Sequence, residues 1–467
     1  MFVGRKAEFA ELERRYAQEG FQFPVVYGRR RVGKTRLIQE FASTKKSIYF
    51  MATKQTSSEL LQSFSLAIKE QLADERTKYL SSFESWESLF SYVTEISKNE
   101  RLVLIIDEYP YLAESEKSIS SLLQKYIDNE WKETQLYLIL CGSSMSFMEE
   151  QVLEYGSPLY GRRTAQLKIH PLPYYEAFEF FPGWSTLEKF YAYGICGGIP
   201  LYLEYFARYK NLKDAVTGEF LSLSGHLSEE PINLMSQELR EPALYNAIIS
   251  AISKGSTKQN EIASSTGTES NRITSYIKNL LSLEIIEKVT PVESTGKKVI
   301  YKIKDNIFRF YFRFVPQCLP LVAMGLGEKA YDLKIAPLLD DFFGHIFEDV
   351  CMQYLKKRIS DGALQTIFTV YGSWWGNNPK EKREEEIDLV LAKEDEILVG
   401  ECKWRNEKIG LDVIELLKKR GELVRKNRAI RYAVFSKSGF TDECQNVCDI
   451  SLITAEEVAD IAVKSKK

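Results

Sequence analysis

The amino-acid sequence predicts an α/β protein that begins with a parallel, doubly wound sheet and ends in a second, smaller α/β region. Three observations support this prediction. Apolar, β-branched runs alternate with helical patterns through the first third of the chain, as they do in parallel sheets with crossover helices. A glycine-rich loop joins the first of these runs to a helix. Strand and helix patterns return in the last third, after a mainly helical region.

The composition is that of a globular protein. The chain has 467 residues, of which 44% are hydrophobic and 27% charged, and this length suits roughly two to four domains. No apolar run reaches the ~18 residues that span a bilayer, and the first residues lack the apolar core of a signal peptide. The seven cysteines form no disulfide framework, and the net charge is −3. We therefore expect a cytoplasmic protein with reduced thiols, no membrane association and at most local nucleic-acid sites.

The stretch GRRRVGKT, from Gly28 to Thr35, has the spacing of a phosphate-binding loop. The strand pattern FPVVY precedes it and a helical pattern follows. Gly28 and Gly33 allow the backbone to curl so that its N–H groups face the phosphates of ATP. Lys34 would reach the β- and γ-phosphates, and the hydroxyl of Thr35 would bind Mg²⁺. A solvated basic turn is the alternative, because three arginines, Arg29, Arg30 and Arg31, stand in the loop before Val32.

Two further strand patterns are predicted to end beside this loop. LVLIIDEYPYL contains Asp107, which would hold Mg²⁺ through water, and Glu108, which would act as general base on the attacking water. QLYLILCGSS ends in Ser143 and Ser144, which are either γ-phosphate sensors or ordinary strand-end serines. With KSIYFMA and AQLKIHPL the region has five strands, and the ligand of such a sheet lies at the carboxyl ends of the strands.

These motifs, together with FVGRKAE, SPLYGRRT and GGIPLYL, resemble the archaeal-type ATPases, which belong to the AAA-related and STAND branch of P-loop NTPases. The resemblance covers roughly the first half of the chain. It implies that Gly4 and Arg5 lie near the adenine and that Gly198 and Pro200 belong to a helical lid. It also implies that Arg162 meets the γ-phosphate, in cis or from a neighbouring subunit, where a cation would neutralise transition-state charge.

The middle of the chain predicts a winged helix-turn-helix. Three helical patterns between EPALYN and SLEIIEK precede two strand patterns that are joined by a turn containing glycine. The third helix offers Arg272 and Lys278 to DNA, and the turn adds Lys297 and Lys298. Because recognition helices usually make more phosphate contacts, packing against the lid or another subunit is the alternative to DNA binding.

Four residues of the last third have the order of a PD-(D/E)xK nuclease site. Glu348 lies on a predicted helix, Asp388 lies in the strand pattern REEEIDLVLAK, and Glu401 and Lys403 end the strand pattern EILVGECKW. Glu401 and Lys403 share a strand face, and hairpin pairing would bring Asp388 beside them. The three carboxylates would bind Mg²⁺ or Mn²⁺, and Lys403 would orient the attacking water. A buried Asp388–Lys403 ion pair is the alternative.

The C-terminal motifs SWWG, EIDLV and GECKW also resemble the uncharacterised domain usually fused to archaeal-type ATPases, which is itself similar to PD-(D/E)xK nucleases of restriction-endonuclease-like fold. The predicted domains are a P-loop ATPase core (1–180), a helical lid (181–238), a winged helix (239–310) and a nuclease-like domain (311–467).

Together the motifs predict an ATP-binding and ATP-hydrolysing switch that controls a metal-dependent nuclease-like domain acting on nucleic acid, with DNA expected before RNA. The alternative is an ATP-dependent adaptor, a STAND-like scaffold that binds DNA, a protein partner or further copies of itself without cleaving nucleic acid.

Overall fold

The computed structural model of the protein describes residues 2–72, 81–293 and 298–464. The chain forms two compact units, Met1–Leu172 with Ile199–Leu201 and Pro173–Gly198 with Tyr202–Lys467. This division is coarser than the four domains expected from the sequence, which stay a prediction. Across the described ranges, no helix combines the length and apolar character that a bilayer crossing requires.

The first unit contains a five-stranded sheet. Its strands are β1 (Pro24–Tyr27), β2 (Ser47–Met51), β3 (Leu102–Asp107), β4 (Leu136–Gly142) and β5 (Ala165–Lys168). Their spatial order is β2-β3-β4-β1-β5, and every neighbouring pair is parallel. The carboxyl ends of all five strands therefore lie at one edge of the sheet, and β4 separates β1 from β3. The predicted five-strand parallel sheet is confirmed.

Burial explains why the strands of this sheet read as continuous apolar runs. Every residue of β1, β3 and β4 is buried, as expected for strands covered on both faces. Aromatic side chains such as Phe64, Phe90 and Trp131 complete the core. The helices of this unit are α1 (Lys6–Tyr16), α2 (Lys34–Ala42), α3 (Ser57–Leu72), α4 (Trp86–Asn99), α5 (Tyr109–Ser115), α6 (Ile119–Asn129) and α7 (Met145–Met148).

The second unit begins with helices and a small hairpin. The first helices are α8 (Tyr174–Ala177), α9 (Thr186–Cys196), α10 (Pro200–Phe206, whose first two residues belong to the first unit), α11 (Leu212–Phe220) and α12 (Glu230–Glu238). Three more helices and two antiparallel strands follow where the sequence predicts them: α13 (Pro242–Ser253), α14 (Gln259–Thr266), α15 (Ser270–Ser282), β6 (Ile286–Val289) and β7 (Ile300–Ile303). Lys297, predicted as a turn cation, lies outside the described residues.

A mixed five-stranded sheet forms the C-terminal part of this unit. It follows α16 (Asn306–Ala323), α17 (Gly327–Ala330) and α18 (Leu339–Ser360). The remaining elements are β8 (Val370–Asn378), β9 (Arg383–Ala392), β10 (Glu396–Lys403), α19 (Leu411–Arg425), β11 (Ala429–Ser436), β12 (Ile450–Thr454) and α20 (Ala455–Lys464). The spatial order is β12-β11-β10-β9-β8, with antiparallel pairing from β8 to β10 and parallel pairing from β10 to β12. The predicted β9–β10 hairpin is present.

The end of the hairpin turn packs into this C-terminal sheet. The backbone N–H of Val292 donates to the carbonyl oxygen of Ser373 in β8 at 2.9 Å. The Val292 side chain is buried in the same apolar cluster as residues of β9, β10 and α19. Beside it, Glu293 forms ion pairs with Arg428 and with Lys426. The helical and hairpin module and the C-terminal sheet therefore share one core.

Candidate functional site

The loop between β1 and α2 adopts a conformation that only glycine accommodates at two positions. Gly28 has a φ of +152°, and a Cβ atom there would lie 2.4 Å from the carbonyl oxygen of Ile169. Gly33, with a φ of +88°, precedes the first residue of α2. A larger residue at position 28 would push the loop away from the end of β5. The backbone of the loop is therefore drawn close to the sheet edge where α2 begins.

Lys34 directs its side chain into this loop. The side chain is buried, and Nζ donates hydrogen bonds to the carbonyl oxygens of Gly28 at 2.9 Å and Arg29 at 2.8 Å. Burial lowers the pKa of the Lys34 ammonium group, and the nearby carboxylates of Glu108 and Asp107 oppose this shift. A concentrated positive charge thus lies inside the loop, where phosphate oxygens are the natural counter-charge.

Asp107 lies at the carboxyl end of β3 and is fully buried. Its Oδ2 atom accepts hydrogen bonds from the hydroxyls of Thr35 and Tyr49, both at 2.8 Å. The backbone N–H of Glu108 donates to Oδ1 at 2.9 Å. These donors compensate the cost of burying a carboxylate. A hydroxyl and a carboxylate, both hard oxygen ligands, therefore meet beside the loop, and this donor set fits Mg²⁺.

Glu108 contacts the end of the neighbouring strand. Its backbone is left-handed, with a φ of +50°, immediately before α5. Its Oε2 atom accepts hydrogen bonds from the Ser143 hydroxyl at 2.8 Å and from the Ser143 backbone N–H at 3.2 Å. A left-handed conformation is costly for glutamate and occurs often at functional sites. The structure thus brings Glu108 and Ser143 together at the carboxyl edge of the sheet.

Segments distant in sequence also reach the loop. Arg5 is buried, and its Nη2 atom donates to the carbonyl oxygen of Val32 at 2.7 Å. The Nη2 atom of Arg30 donates to the hydroxyl of Tyr111 at 3.0 Å. Pro200 lies close to Gly33, with its Cγ atom 3.4 Å from the position that a Cβ atom would take. The N-terminal segment and residues 199–201 therefore both contact the loop.

Sequence reasoning did not single out Tyr49 or Tyr111, although both bond to residues of this site. Tyr49 lies on β2 and becomes a partner of Asp107 only because β2 pairs with β3. No pattern near Tyr49 indicates that pairing, since it depends on strand order. Tyr111, in contrast, belongs to the quoted motif IIDEYPYL, and this closeness to Glu108 was the available signal.

Arg162 lies at the opposite edge of the sheet from the loop. Its Nη2 and Nε atoms donate to the carboxylate of Asp128, in the last turn of α6, at 2.6 and 3.1 Å. It stands just before β5, and the next-but-one residue, Thr164, bonds to Phe23 before the start of β1. Arg162 is therefore near the amino end of β1, whereas the loop follows its carboxyl end. The four residues of β1, with a rise of about 3.3 Å per residue, separate the two ends. This location argues against the expected cis contact with a γ-phosphate in the loop and leaves the neighbouring-subunit alternative.

The four C-terminal candidates form two pairs. Glu348 on α18 and Asp388 on β9 line one cavity. Lys403 forms an ion pair with Glu401, and Nη1 of Arg420 on α19 lies 3.4 Å from the same carboxylate. The contact made by Lys403 therefore differs from the Asp388–Lys403 pair considered as an alternative. Asp388 instead accepts a hydrogen bond from the backbone N–H of Cys402 at 2.8 Å.

A register shift contributes to the position of Asp388. In the β8–β9 pairing Gly372 opposes Val390, whereas Trp374 opposes Ile387, so β9 carries one additional residue over this stretch. Such a bulge re-aims the side chains beside it. The β8–β9 ladder is therefore interrupted next to Asp388, whereas the β9–β10 pairing is regular up to the neighbouring pair of Leu389 and Gly400.

The electrostatic environment of Asp388 is unfavourable for a bare carboxylate. Burial, together with the charges of Glu401 and Glu348, raises the pKa of Asp388 to about 7, against the effect of Lys403. Over the described ranges, however, no group of three or more His, Cys, Asp or Glu side chains is arranged to hold a metal ion. The metal-binding role of Glu348, Asp388 and Glu401 stays a prediction.

Two of the cations that the sequence predicts to contact DNA form ion pairs within the protein. Arg272 forms an ion pair with Glu241 at 3.0 Å, and Lys298 lies 3.5 Å from Glu384. Lys278 is exposed on α15. Ion pairing lowers the charge that Arg272 and Lys298 present to a phosphate backbone.

Comparison with known proteins agrees with the geometry of the loop. Residues 2–206 match the family described as an ATPase domain predominantly from Archaea. Residues 311–417 match a family described as archaeal and bacterial proteins of unknown function. Residues 2–206 thus form an ATPase domain of the archaeal type.

Over 413 residues the chain is 33% identical to "Uncharacterized protein MJECL04" of Methanocaldococcus jannaschii, across 87% of this chain and 88% of that protein. The protein belongs to the same family as this relative. A second relative in that organism, "Uncharacterized ATP-binding protein MJ0423", is 50% identical over 46 residues, 10% of this chain and 78% of that protein.

Among solved structures, the Walker-type ATPase PABY2304 of Pyrococcus abyssi is similar in fold, with a TM-score of 0.52 at 20% sequence identity. The similarity covers 67% of this chain and 96% of that one. At this identity the likeness concerns the fold alone.

Proposed function

We propose that the protein binds ATP with Mg²⁺ at the loop from Gly28 to Thr35, hydrolyses it, and uses the nucleotide state as a switch. The observation that carries this proposal is the 2.8 Å hydrogen bond between Thr35 and Asp107. It joins the first turn of α2, which follows a glycine loop, to the carboxylate at the end of β3. These are the two oxygen ligands through which P-loop NTPases hold Mg²⁺.

The residues of the loop fit a triphosphate. Gly33 directly precedes the first turn of α2, where the helix dipole favours anions. Lys34 binds the β- and γ-phosphates, while Thr35 and Asp107 hold Mg²⁺. The bound cation supplies positive charge that offsets the charge of the phosphate oxygens. Arg29, Arg30, Arg31 and Val32 complete the loop, and Gly4 and Arg5 flank the adenine, consistent with the bond from Arg5 to Val32.

Hydrolysis needs a group that accepts a proton from the attacking water. We assign this role to Glu108, which follows the metal carboxylate directly and stands at the same sheet edge. Ser143 positions its carboxylate through two hydrogen bonds. Arg162 is assigned to the γ-phosphate of a neighbouring copy, because its own loop lies at the opposite edge of the sheet. This assignment makes a homo-oligomer the active form.

The remaining parts of the switch are a helical lid (181–238), a winged helix (239–310) and a C-terminal domain (311–467) that responds to the nucleotide state. The lid assignment includes Gly198 and Pro200, and the contact of Pro200 with Gly33 supports a link between lid and nucleotide. The three helices and hairpin of residues 242–303 support the winged-helix assignment. Its partner is then DNA or another protein.

A second candidate function is metal-dependent cleavage of nucleic acid by the C-terminal domain, with restriction-endonuclease-like topology. It is favoured by one observation: Glu348 and Asp388 line the same cavity, and the pKa of Asp388 is raised to about 7 by burial and by neighbouring carboxylates. A Mg²⁺ or Mn²⁺ ion held by Glu348, Asp388 and Glu401 would relieve this repulsion and activate water, which Lys403 would orient. The adaptor alternative keeps the fold without cleavage.

The ATP-binding proposal is tested by calorimetry on the wild type, Lys34→Ala and Lys46→Ala. Lys46 makes the matched control, because it lies before the amino end of β2 and pairs with Glu100. We expect Lys34→Ala to lose at least a hundredfold in ATP affinity while Lys46→Ala binds as the wild type does. Equal affinity in all three proteins would overturn the proposal.

A further inference from the structure

The second unit contains a cavity of about 570 Å³. Its walls come from the β6–β7 hairpin, α16, α18 and the paired strands β8 and β9. Four cations line it: Lys302, Arg309, Arg313 and Lys356. Four carboxylates, Glu287, Glu348, Asp349 and Asp388, belong to the same lining, so the cavity includes half of the candidate metal site.

We propose that this cavity binds one nucleotide unit of a single-stranded nucleic acid and excludes duplex. The inference rests on the proposed action of the C-terminal domain on nucleic acid and specifies its substrate. The shared ligand chemistry is that of a nucleoside phosphate, which an unpaired strand or a free nucleotide supplies. The strand is the favoured source, because the cations come from three separate elements and can follow a backbone.

The charges of the cavity suit a phosphate together with a divalent cation. Lys302 on β7 opposes Glu287 across the hairpin, and Nη1 of Arg309 lies 4.0 Å from Asp349, beyond hydrogen-bonding distance. Among the residues that the structure describes, this Nη1 atom has no hydrogen-bond partner. A phosphate oxygen would provide the missing acceptor, while Nε and Nη2 of Arg309 bond to the carbonyl oxygen of Ile303. A cation between phosphate and carboxylates would offset their mutual repulsion.

Aromatic side chains offer a surface for the base. Tyr301 on β7 and Tyr371 on β8 both line the cavity, and Nζ of Lys356 lies 5.1 Å from the centre of the Tyr371 ring. Bases of unpaired strands stack on such rings without regard to sequence, with a cation nearby to bind the phosphate. The chemistry is therefore that of a base-and-phosphate site with little sequence preference.

The volume argues for a single strand. About 570 Å³ falls within the ~300–1,000 Å³ of small-ligand sites. A base paired in a duplex is stacked inside the helix and reaches an enclosed site only when it is flipped out. An unpaired strand enters without that cost, so we expect single strands to bind more tightly than duplexes of the same sequence.

The test uses the full chain and a fluorescein-labelled oligothymidylate. ATP and other nucleoside triphosphates are left out of the solution, so that the loop at Gly28 has no ligand. Anisotropy is measured in Ca²⁺, which replaces Mg²⁺ without supporting cleavage. We expect the single strand to bind at least tenfold more tightly than a duplex, and Lys302→Glu and Lys356→Glu each to weaken it about tenfold. Lys288→Glu, on the exposed face of the same hairpin, carries the same charge change outside the cavity lining and should bind normally.

Equal binding of duplex and single strand, or equal loss in Lys288→Glu, would overturn the inference. Competition with thymidine monophosphate distinguishes an unpaired strand from a free nucleotide as the ligand. Displacement of the labelled strand only at a large excess of the monophosphate supports the strand. Displacement at equal concentration assigns the cavity to free nucleotides and overturns the strand assignment. ATP turnover and Mn²⁺-dependent cleavage are measured on the same preparations. Strand binding without cleavage would support the proposed binding site in the cavity and overturn the proposed nuclease activity. Absent strand binding with normal ATP turnover would overturn the proposed binding site alone.

Discussion

The hydroxyl of Thr35 donates to Oδ2 of Asp107 at 2.8 Å, although the strands that lead to these two residues are not neighbours in the sheet. Thr35 follows β1 and Asp107 ends β3, with β4 between these strands. Only the carboxyl edge of the parallel sheet brings them together. The strand order therefore creates the oxygen pair that we assign to Mg²⁺, and substitutions around it separate binding from catalysis.

Glu108→Gln should keep ATP binding and lose turnover. The amide preserves the size of the side chain and its bond from Ser143 but cannot accept a proton, so we expect kcat to fall by about 10²–10⁴ with the Kd for ATP unchanged. Single-turnover hydrolysis and calorimetry measure the two quantities. Glu114→Gln, at an exposed position of α5, the helix that follows Glu108, is the control. Turnover at the wild-type rate in Glu108→Gln would remove the general-base assignment.

Gly28→Ala should weaken nucleotide binding by displacing the loop. The added Cβ atom would lie 2.4 Å from the carbonyl oxygen of Ile169, so the loop must move away from β5. Gly20→Ala is the matched control, since Gly20 also has a positive φ, +77°, but nothing lies within 4 Å of an added Cβ atom. We expect at least a tenfold loss of ATP affinity for Gly28→Ala alone, with similar melting temperatures for both. Equal affinities would show that the close approach at Gly28 is not needed.

Arg162→Ala should lower kcat by about 10³ or more if Arg162 contacts a neighbour's γ-phosphate. The single variants Arg162→Ala and Lys34→Ala are each expected to be inactive, whereas their mixture regains part of the activity in shared sites. Asp128→Asn tests the ion pair separately, because it weakens the pair without removing Arg162. We expect this variant to retain turnover. Normal hydrolysis in Arg162→Ala would leave Arg162 with the structural role of bonding to Asp128.

Asp388→Asn should raise the melting temperature of the metal-free protein and abolish any stabilisation by Mn²⁺. The amide removes repulsion from Glu401 and Glu348 but is a poor ligand for a hard cation. Thermal melts of the full chain in chelator and in Mn²⁺ give both values. Glu386→Gln, exposed on the same strand, controls for the loss of one negative charge. A wild-type melting temperature that Mn²⁺ does not change would argue against a metal site.

The first sheet was largely predictable because each of its strands is a buried apolar run bounded by a loop. β1 and β3 start or end within two residues of the predicted patterns, and the glycine loop follows β1 as expected. Local sequence could not reveal the bond from Tyr49 to Asp107, nor that from Arg162 to Asp128, because both depend on which elements meet in space.

The C-terminal sheet was less predictable. β9 and β10 were expected from their apolar alternation, but β8, β11 and β12 were not assigned. The bulge between β8 and β9 lies beside Asp388, which lines a cavity with Glu348, while Glu401 bonds to Lys403 and Arg420. Bulges insert one residue without a distinctive pattern, so the irregularity beside Asp388 could not be predicted from the sequence.

The burial of Val292 in the C-terminal sheet has a consequence for how this protein can be divided in the laboratory and in evolution. A cut near residue 310 would remove one apolar side chain from the core of the sheet and leave Arg428, only 8% exposed, without its carboxylate partner Glu293. Fragments made that way should misfold or aggregate, whereas a fragment starting before α13 keeps both. Gene fusions that contain the C-terminal sheet should therefore also contain the β6–β7 hairpin.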